Sequence, residues 1–188
     1  MKKKVAMQLP PVAKEAPVSE RYALELEALE PIAEIVEVDG SSKQSFMEGT
    51  RDADAVMTSW GITLDAEIIQ NLQRCVVIGV GSVGVDMVDV DAATAAGIVV
   101  TNVPDVFIEE VADHTLMLLL ASGRRLKLMD KMSGDGRWYA GRPVLNQVPR
   151  LWGQTLGLIS FGNVATAVAR RAKAFGLQVL AYDPYVSE

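Results

Sequence analysis

Short apolar runs alternate with amphipathic segments over the first hundred residues. The periodicity predicts β-strands at residues 4–9, 33–38, 53–58, 75–79 and 98–101. The intervening segments predict helices from Ser19 to Pro31 and at residues 42–48, 64–72 and 90–96. This alternation of strands and helices is typical of a doubly wound parallel sheet. Residues 1–101 are therefore predicted to form one α/β lobe of the flavodoxin-like type.

The pattern changes after residue 101. Asp105 can cap a long helix predicted from about Phe107 to Met132, and the aperiodic segment 133–150 predicts a surface connection. A strand at 155–160, a helix at 163–175 and a strand at 178–182 then make a single βαβ unit. Because two parallel strands cannot form an ordinary covered sheet, residues 102–188 are expected to be an incomplete second domain.

Composition narrows the function classes. Hydrophobic residues make up 49% of the chain and charged residues 22%, which favours a folded protein. The net charge of −6 provides no positive field for nucleic acid or for an anionic membrane surface. No apolar stretch approaches the roughly 20 residues that span a bilayer, and the apolar run 5–7 is too short for a secretion signal. With one cysteine and one histidine, neither an internal disulfide nor a structural zinc site is expected, so the predicted location is the cytoplasm.

A nucleotide-binding pattern follows the strand at 155–160. Residues 160–165 read SFGNVA, which matches the fingerprint G-x-G-x-x-G/A with serine in place of the first glycine. Gly162 would let the backbone approach a pyrophosphate, and the first helical turn offers N–H groups to the anion. Ser160 carries a Cβ that makes a positive φ costly, which would weaken the turn. The alternative is an ordinary strand-to-helix turn capped by Asn163.

An acidic residue ends the next strand. Asp183 lies 18 residues beyond Ala165, where a carboxylate can accept hydrogen bonds from ribose hydroxyls and repel a 2′-phosphate. This placement favours NAD over NADP. The alternative is a strand-ending turn, since the residue before Pro184 disfavours a helix.

Several ordered motifs together resemble the D-isomer-specific 2-hydroxyacid dehydrogenases. The motifs are VIGVGSVGVDMVD at 77–89, AATAAGIVVTNVP at 92–104, EVADHT at 110–115 and TLGLI at 155–159. The resemblance implies that the first lobe binds substrate and that the second is the first βαβ part of a Rossmann NAD-binding domain. It also implies dimerisation through the NAD domain and the long helix, so a homodimer is expected.

The resemblance assigns roles to individual residues. Gly81, Ser82, Val83 and Gly84 match the loop whose backbone N–H groups hold the substrate carboxylate, and Val83 also matches a cofactor contact. Gly162, Asn163 and Val164 match the pyrophosphate turn, and Asp183 matches the ribose-binding acid. Trp60 lies where phosphoglycerate-using members resemble one another in having basic side chains, so a phosphorylated substrate is disfavoured. From the residues alone, 81–84 could equally be a simple strand-to-helix turn.

The resemblance implies hydride transfer between NAD and C2 of a 2-hydroxy or 2-oxo acid. The catalytic His, Arg and Glu of that family belong to motifs beyond residue 188, so the chain is expected to be inactive alone. The only histidine, His114, lies in the predicted long helix and is interpreted as a helix-surface residue. The alternative hypothesis is a non-catalytic module, a shortened paralogue that binds a dinucleotide or an organic acid or pairs with another subunit.

Other polar groups have simpler interpretations. Asp86 and Asp89 are interpreted as turn and capping residues before the helix at 90–96. Arg124, Arg125 and Lys127 are interpreted as cations at the C-terminal end of the long helix. Cys75 is expected to be buried and inert.

Overall fold

The computed structural model describes residues 2–9 and 22–185. The chain divides into two compact units, residues 1–106 and 107–188. The predicted domain boundary, after residue 101, lies five residues earlier than this division. Among the described residues, no helix has both the length and the apolar composition needed to cross a membrane.

The first unit contains five strands and four helices within the described residues. The strands are β1 (Lys3–Leu9), β2 (Ala33–Asp39), β3 (Ala55–Thr58), β4 (Val77–Val80) and β5 (Val99–Thr101). The helices are α1 (Ala23–Leu29), α2 (Lys43–Thr50), α3 (Ala66–Asn71) and α4 (Val90–Ala95). All strand pairs are parallel and run in the order β2-β1-β3-β4-β5. This is the flavodoxin-like order, which confirms the predicted fold class. The predicted cap of the first helix, Ser19, lies outside the described residues.

The central strands of the first unit are buried in its core. Met7 and Ile78 on central strands and Phe46 on α2 have no exposed surface. Short polar side chains begin the helices: Ser42 accepts a hydrogen bond from Ser45 N, and Asp89 accepts one from Ala92 N. The capping role predicted for Asp89 is therefore confirmed.

The second unit contains the strands β6 (Thr155–Ile159) and β7 (Gln178–Tyr182), which pair in parallel. Its helices are α5 (Ile108–Gly123), α6 (Leu126–Gly134), α7 (Trp138–Asn146) and α8 (Asn163–Ala174). A small core of Ala112, Leu116, Ala167 and Val168 joins α5 to α8. The predicted βαβ unit is confirmed.

Three predictions for this region are wrong. The long helix predicted from Phe107 to Met132 is broken, because Arg125 adopts a left-handed φ of 55° between α5 and α6. Arg124 ends α5, whereas Lys127 lies in the first turn of α6 and cannot complement a helix C-terminus there. The N-cap of α5 is Phe107, not Asp105.

The surface connection predicted at 133–150 contains the helix α7. Gly141 and Pro143 lie inside this helix and hide its periodicity in the sequence. Gly141 is buried against Met129 and Met132 of α6, and a Cβ at that position would lie 3.2 Å from Met129 Sδ. Packing on α6 therefore outweighs the poor helix propensity of glycine and proline.

Candidate functional site

The loop that follows β4 has several backbone N–H groups available. Gly81 donates its N–H to the carbonyl of Thr58 at 2.8 Å, so this amide is already engaged. Within the described part of the chain, the N–H groups of Ser82, Val83 and Gly84 have no protein acceptor. Consecutive free amides are the usual means of holding a carboxylate with main-chain donors.

Residues after β5 fix the orientation of this loop. Val103 N donates to the Ser82 carbonyl at 3.1 Å, and Asn102 Nδ2 donates to the Val83 carbonyl at 2.7 Å. Because a trans peptide places N–H and C=O on opposite sides, these bonds direct the amides of Val83 and Gly84 away from β5. Asn102 is therefore a positioning residue that sequence reasoning did not single out.

Trp60 follows β3 and borders a cleft next to the loop. The cleft has a volume of about 340 Å³ and is lined by Trp60, Thr63, Ser82, Gly84, Asp86 and Met87. The Trp60 side chain is 73% exposed, whereas its backbone carbonyl accepts a hydrogen bond from Gln8 Nε2 at 3.4 Å. Gln8 is buried and also accepts a hydrogen bond from the Thr58 hydroxyl. The buried Gln8–Thr58 pair thus anchors the segment that presents Trp60.

The second unit contains the turn that matches the nucleotide fingerprint. Ser160 adopts a φ of 76°, the left-handed conformation that favours glycine. The sequence-based concern about this position is therefore justified, since a residue with a Cβ there costs about 1–2 kcal/mol. The turn forms nevertheless, and Ser160 N donates to the Tyr182 carbonyl at 2.7 Å.

Gly162 is the N-cap of α8 and leaves the helix N-terminus open. Its φ of −79° does not require glycine, and a Cβ built on it would meet no atom within 4 Å. The space in front of the first helical turn is thus accessible to a ligand. Because the cap has no side chain, it satisfies none of the first-turn N–H groups. Asn163 begins the helix, and Val164 follows it in the first turn, at the positive end of a 12-residue helix.

Asp183 links the end of β7 to this turn. Its carboxylate accepts hydrogen bonds from Phe161 N at 2.7 Å and from Tyr185 N at 2.8 Å, and Ser160 Oγ lies 3.5 Å away. These donors, Phe161 first, hold the pKa of Asp183 below its usual value, so the group is ionised. A carboxylate has about four acceptor positions, which leaves some for ribose hydroxyls. The residues present therefore fit a dinucleotide with free ribose hydroxyls.

Two further polar groups, His114 and Cys75, belong to neither loop. His114 is exposed on α5. Cys75 is buried, and burial raises the pKa of its thiol, as expected for an inert cysteine. The predicted substrate residues lie in the first unit and the residues predicted for cofactor phosphate and ribose in the second.

The comparisons with known proteins point to one family. The profile described as "D-isomer specific 2-hydroxyacid dehydrogenase, catalytic domain" matches residues 16–182. A D-3-phosphoglycerate dehydrogenase from Methanocaldococcus jannaschii is 35% identical over 161 residues, covering 86% of this chain and 30% of that protein. A glyoxylate reductase from Thermococcus gammatolerans is 40% identical over 145 residues, covering 75% of this chain and 43% of that protein.

A solved structure of similar fold extends the comparison to nearly all residues. The D-lactate dehydrogenase from Aquifex aeolicus, crystallised with NAD and lactic acid, superposes with a TM-score of 0.81 at 26% identity. The match covers 98% of this chain and 52% of that one, so this chain spans about half of its length. The family match, the sheet order and the two ordered loops agree, and the chain belongs to the D-isomer-specific 2-hydroxyacid dehydrogenase family.

Proposed function

We propose that this chain is the substrate lobe and the first part of the cofactor lobe of an NAD-dependent 2-hydroxyacid dehydrogenase. In this assignment residues 1–101 bind the acid and residues 102–188 bind the dinucleotide. The observation that carries the proposal is the open helix N-terminus at Gly162, which is hydrogen-bonded through Phe161 to the ionised Asp183. When bound, NAD supplies the carbon that accepts or donates hydride.

The first unit would orient the acid. The amides of Ser82, Val83 and Gly84 would donate to the substrate carboxylate, and Val103 and Asn102 would hold the last two of them in direction. Donors fixed before the substrate arrives need little reorganisation on binding, which is the benefit of a loop tied by Asn102 and Val103. Val83 is 52% exposed and is therefore also available for the contact with cofactor that we propose.

The preference for NAD would come from charge. Asp183 is ionised and partly satisfied by backbone donors, so it attracts ribose hydroxyls but repels a 2′-phosphate. Calorimetric titration measures the affinities for NAD and for NADP, both of the purified native chain and of the variant Asp183→Asn. Asparagine keeps a carbonyl acceptor for Phe161 N–H and removes the charge.

We expect the native chain to bind NAD at least about fivefold more tightly than NADP, since a like-charge contact costs about 1 kcal/mol or more. Asp183→Asn should reduce that ratio towards one. Equal affinity of the native chain for the two dinucleotides, or no binding of either by a folded protein, would overturn the assignment.

The chain by itself should not turn over. Hydride transfer to a 2-oxo acid needs a group that donates a proton to the new hydroxyl, and the only histidine, His114, is exposed on α5. Positioned acid/base catalysis contributes about 10²–10⁴-fold. Oxidation of NADH by the 188-residue chain with 2-oxo acids at an enzyme-like rate would contradict this part of the proposal.

A second candidate, a non-catalytic interaction module, is supported by an exposed sheet face. Ile159, Leu180 and Tyr182 lie on one face of the β6–β7 pair and are 91%, 66% and 69% exposed. Exposed apolar surface of this kind favours association.

We propose that the chain forms a homodimer and that its location is the cytoplasm. Light scattering that finds only monomer at micromolar concentration would contradict the dimer.

A further inference from the structure

A groove on the helices of the second unit lies outside the two loops described above. It follows one face of α5, on which Leu116, Leu120 and Arg124 recur at intervals of four residues. Leu126 at the start of α6 and Phe175 directly after α8 complete its lining. The groove has a volume of about 680 Å³, which is within the range of sites for small molecules.

The groove is separate from the other contact regions proposed for this unit. Phe175 follows the last residue of α8, whereas Gly162 precedes the first one. A 12-residue helix is about 18 Å long, and this length separates the groove from the turn proposed to bind pyrophosphate. Ile159 and Leu180 lie on the face of the β6–β7 pair that the helices leave exposed. A homodimer formed through that face would therefore leave the groove accessible.

Most of the groove lining is apolar and in contact with water. The apolar residues are Leu116, Met117, Leu120, Ala121, Leu126 and Phe175. Leu116 is buried, whereas Met117, Leu126 and Phe175 are 50%, 58% and 42% exposed. Clustered apolar side chains of this kind are typical of a binding site, because an occupant removes their apolar area from water. The occupant must therefore bring an apolar part.

The charges along the groove leave one cation available. Asp113 and Arg171 form an ion pair at 2.6 Å and neutralise each other. Arg124, at the other end of the α5 lining, is exposed, and none of the described residues accepts a hydrogen bond from its guanidinium. The dipoles of α5, which ends just before Arg124, and of α6, which begins at Leu126, have opposite signs here and offset each other. The guanidinium can thus bind a carboxylate through two parallel hydrogen bonds.

We propose that this groove binds a free carboxylic acid with a single unbranched apolar chain. The chain covers the apolar side chains along α5, and the carboxylate binds the guanidinium of Arg124. A soluble acid is favoured over an anionic membrane surface, because the net charge of −6 repels such a surface as a whole. The proposal is independent of the proposed binding of NAD and of the 2-hydroxy acid.

The test compares two amphiphiles that differ in the sign of their charge. Calorimetry measures the binding of decanoate and of decyltrimethylammonium to the full 188-residue chain, at amphiphile concentrations below those at which micelles form. Non-specific attraction to a protein of net charge −6 would favour the cation. We expect decanoate to bind about tenfold more tightly instead. Octanoate should bind about fourfold more weakly than decanoate, because each half-buried methylene contributes about a factor of two.

Two variants test the residues of the groove, each with a matched control. Arg124→Gln should weaken decanoate binding about tenfold, whereas Lys131→Gln on α6, which does not line the groove, should leave it unchanged. Met117→Glu adds a negative charge among the apolar side chains and should abolish decanoate binding. Val111→Glu is its control, since Val111 is exposed on α5 outside the groove. All four positions are exposed, so the variants should fold, which circular dichroism checks.

Four outcomes would overturn the proposal without touching the NAD titration. The first is equal or tighter binding of decyltrimethylammonium, and the second is an unchanged affinity of Arg124→Gln for decanoate. The third is conversion of a dimer into a monomer by Met117→Glu in light scattering, which would show that a second copy occupies the groove. The fourth is failure of the folded native chain to bind decanoate. If that chain nevertheless sedimented with phosphatidylglycerol vesicles, the occupant would be an anionic membrane surface instead.

Discussion

The two units bury their sheets to very different extents. In the first unit the centre of a five-stranded sheet is buried, and Met7, Phe46 and Ile78 have no exposed surface. In the second unit two strands pack on α5 and α8 through one face only, while Ile159 on the other face is 91% exposed. The comparison shows that one unit has a large core of its own, whereas the other carries the turn at 160–165 on a small core. Most of the stability should therefore reside in the first unit.

The largest effect is expected from Phe46→Ala. Phe46 has no exposed surface on α2, and replacing a buried phenylalanine by alanine costs about 3–5 kcal/mol. Urea unfolding followed by far-ultraviolet circular dichroism measures the loss. Leu24→Ala is the control, since Leu24 is 79% exposed and should change stability by less than about 0.5 kcal/mol. Equal effects of the two substitutions would show that this core is not formed.

A smaller effect is expected from Val168→Ala in the second unit. Val168 is 3% exposed and packs in the cluster between α5 and α8, so its truncation should cost about 2 kcal/mol. Hydrogen exchange of amides in β6 and α8 reports local stability of this unit. The exposed Val111 on α5 is the matched control. If the amides of β1 and β3 lost as much protection against hydrogen exchange as those of β6 and α8, the claim that the two units unfold separately would be contradicted.

Acid should weaken the first unit through Asp54. The Lys4 backbone N–H, together with Lys3 and Arg74, lowers the pKa of Asp54 from 3.8 to about 2. A carboxyl whose pKa is lower in the folded state adds stability above pH 3.8, and this contribution is lost as the pH falls towards 2. We therefore expect the free energy of unfolding of Asp54→Asn, measured with urea, to depend less on pH than that of the native chain. The measurement runs from about pH 5 to about pH 2, which covers both pKa values of Asp54. If the free energy of unfolding fell equally with pH in both proteins, Asp54 would not be the cause of the acid sensitivity.

The smallest effect on stability is expected from Ser160→Gly. Glycine removes the cost of the left-handed φ of 76°, about 1–2 kcal/mol, but loses about 0.5–1 kcal/mol of unfolded-chain entropy. The net gain should lie between about 0 and 1.5 kcal/mol, measured by thermal unfolding. Ser122→Gly inside α5 should be destabilising instead, because no positive φ is relieved there. Destabilisation by Ser160→Gly would contradict strain at the turn.

The sequence predicted most of the fold because its periodic signals agree with the packing. The five parallel strands of the first unit and the βαβ unit of the second appear where apolar runs predicted them. The break between α5 and α6 was missed because the left-handed conformation of Arg125 leaves no periodic signal. Helix α7 was missed because the poor helix propensity of Gly141 is offset by contacts with Met129 and Met132 of α6. These contacts leave no pattern in the sequence of α7 itself.

The candidate site was predicted only where local chemistry specifies it. The cost at Ser160 and the acid at Asp183 could be anticipated from a turn pattern and a strand end. The role of Asn102 could not, because its hydrogen bond to Val83 joins residues 19 positions apart and exists only in the folded sheet. The same is true of Gln8, whose contact with Trp60 spans 52 positions.

The most direct test of the account titrates NAD into Gly162→Ala and Gly123→Ala. A Cβ at either position meets no protein atom within 4 Å, so both variants should fold as the native chain does. Only the Cβ at residue 162 would enter the space in front of α8 where we propose that the pyrophosphate binds. The account predicts that calorimetry finds NAD binding weakened about tenfold or more in Gly162→Ala and unchanged in Gly123→Ala (tenfold being about 1.4 kcal/mol). Unchanged binding of NAD by folded Gly162→Ala would contradict the claim that this turn holds the cofactor.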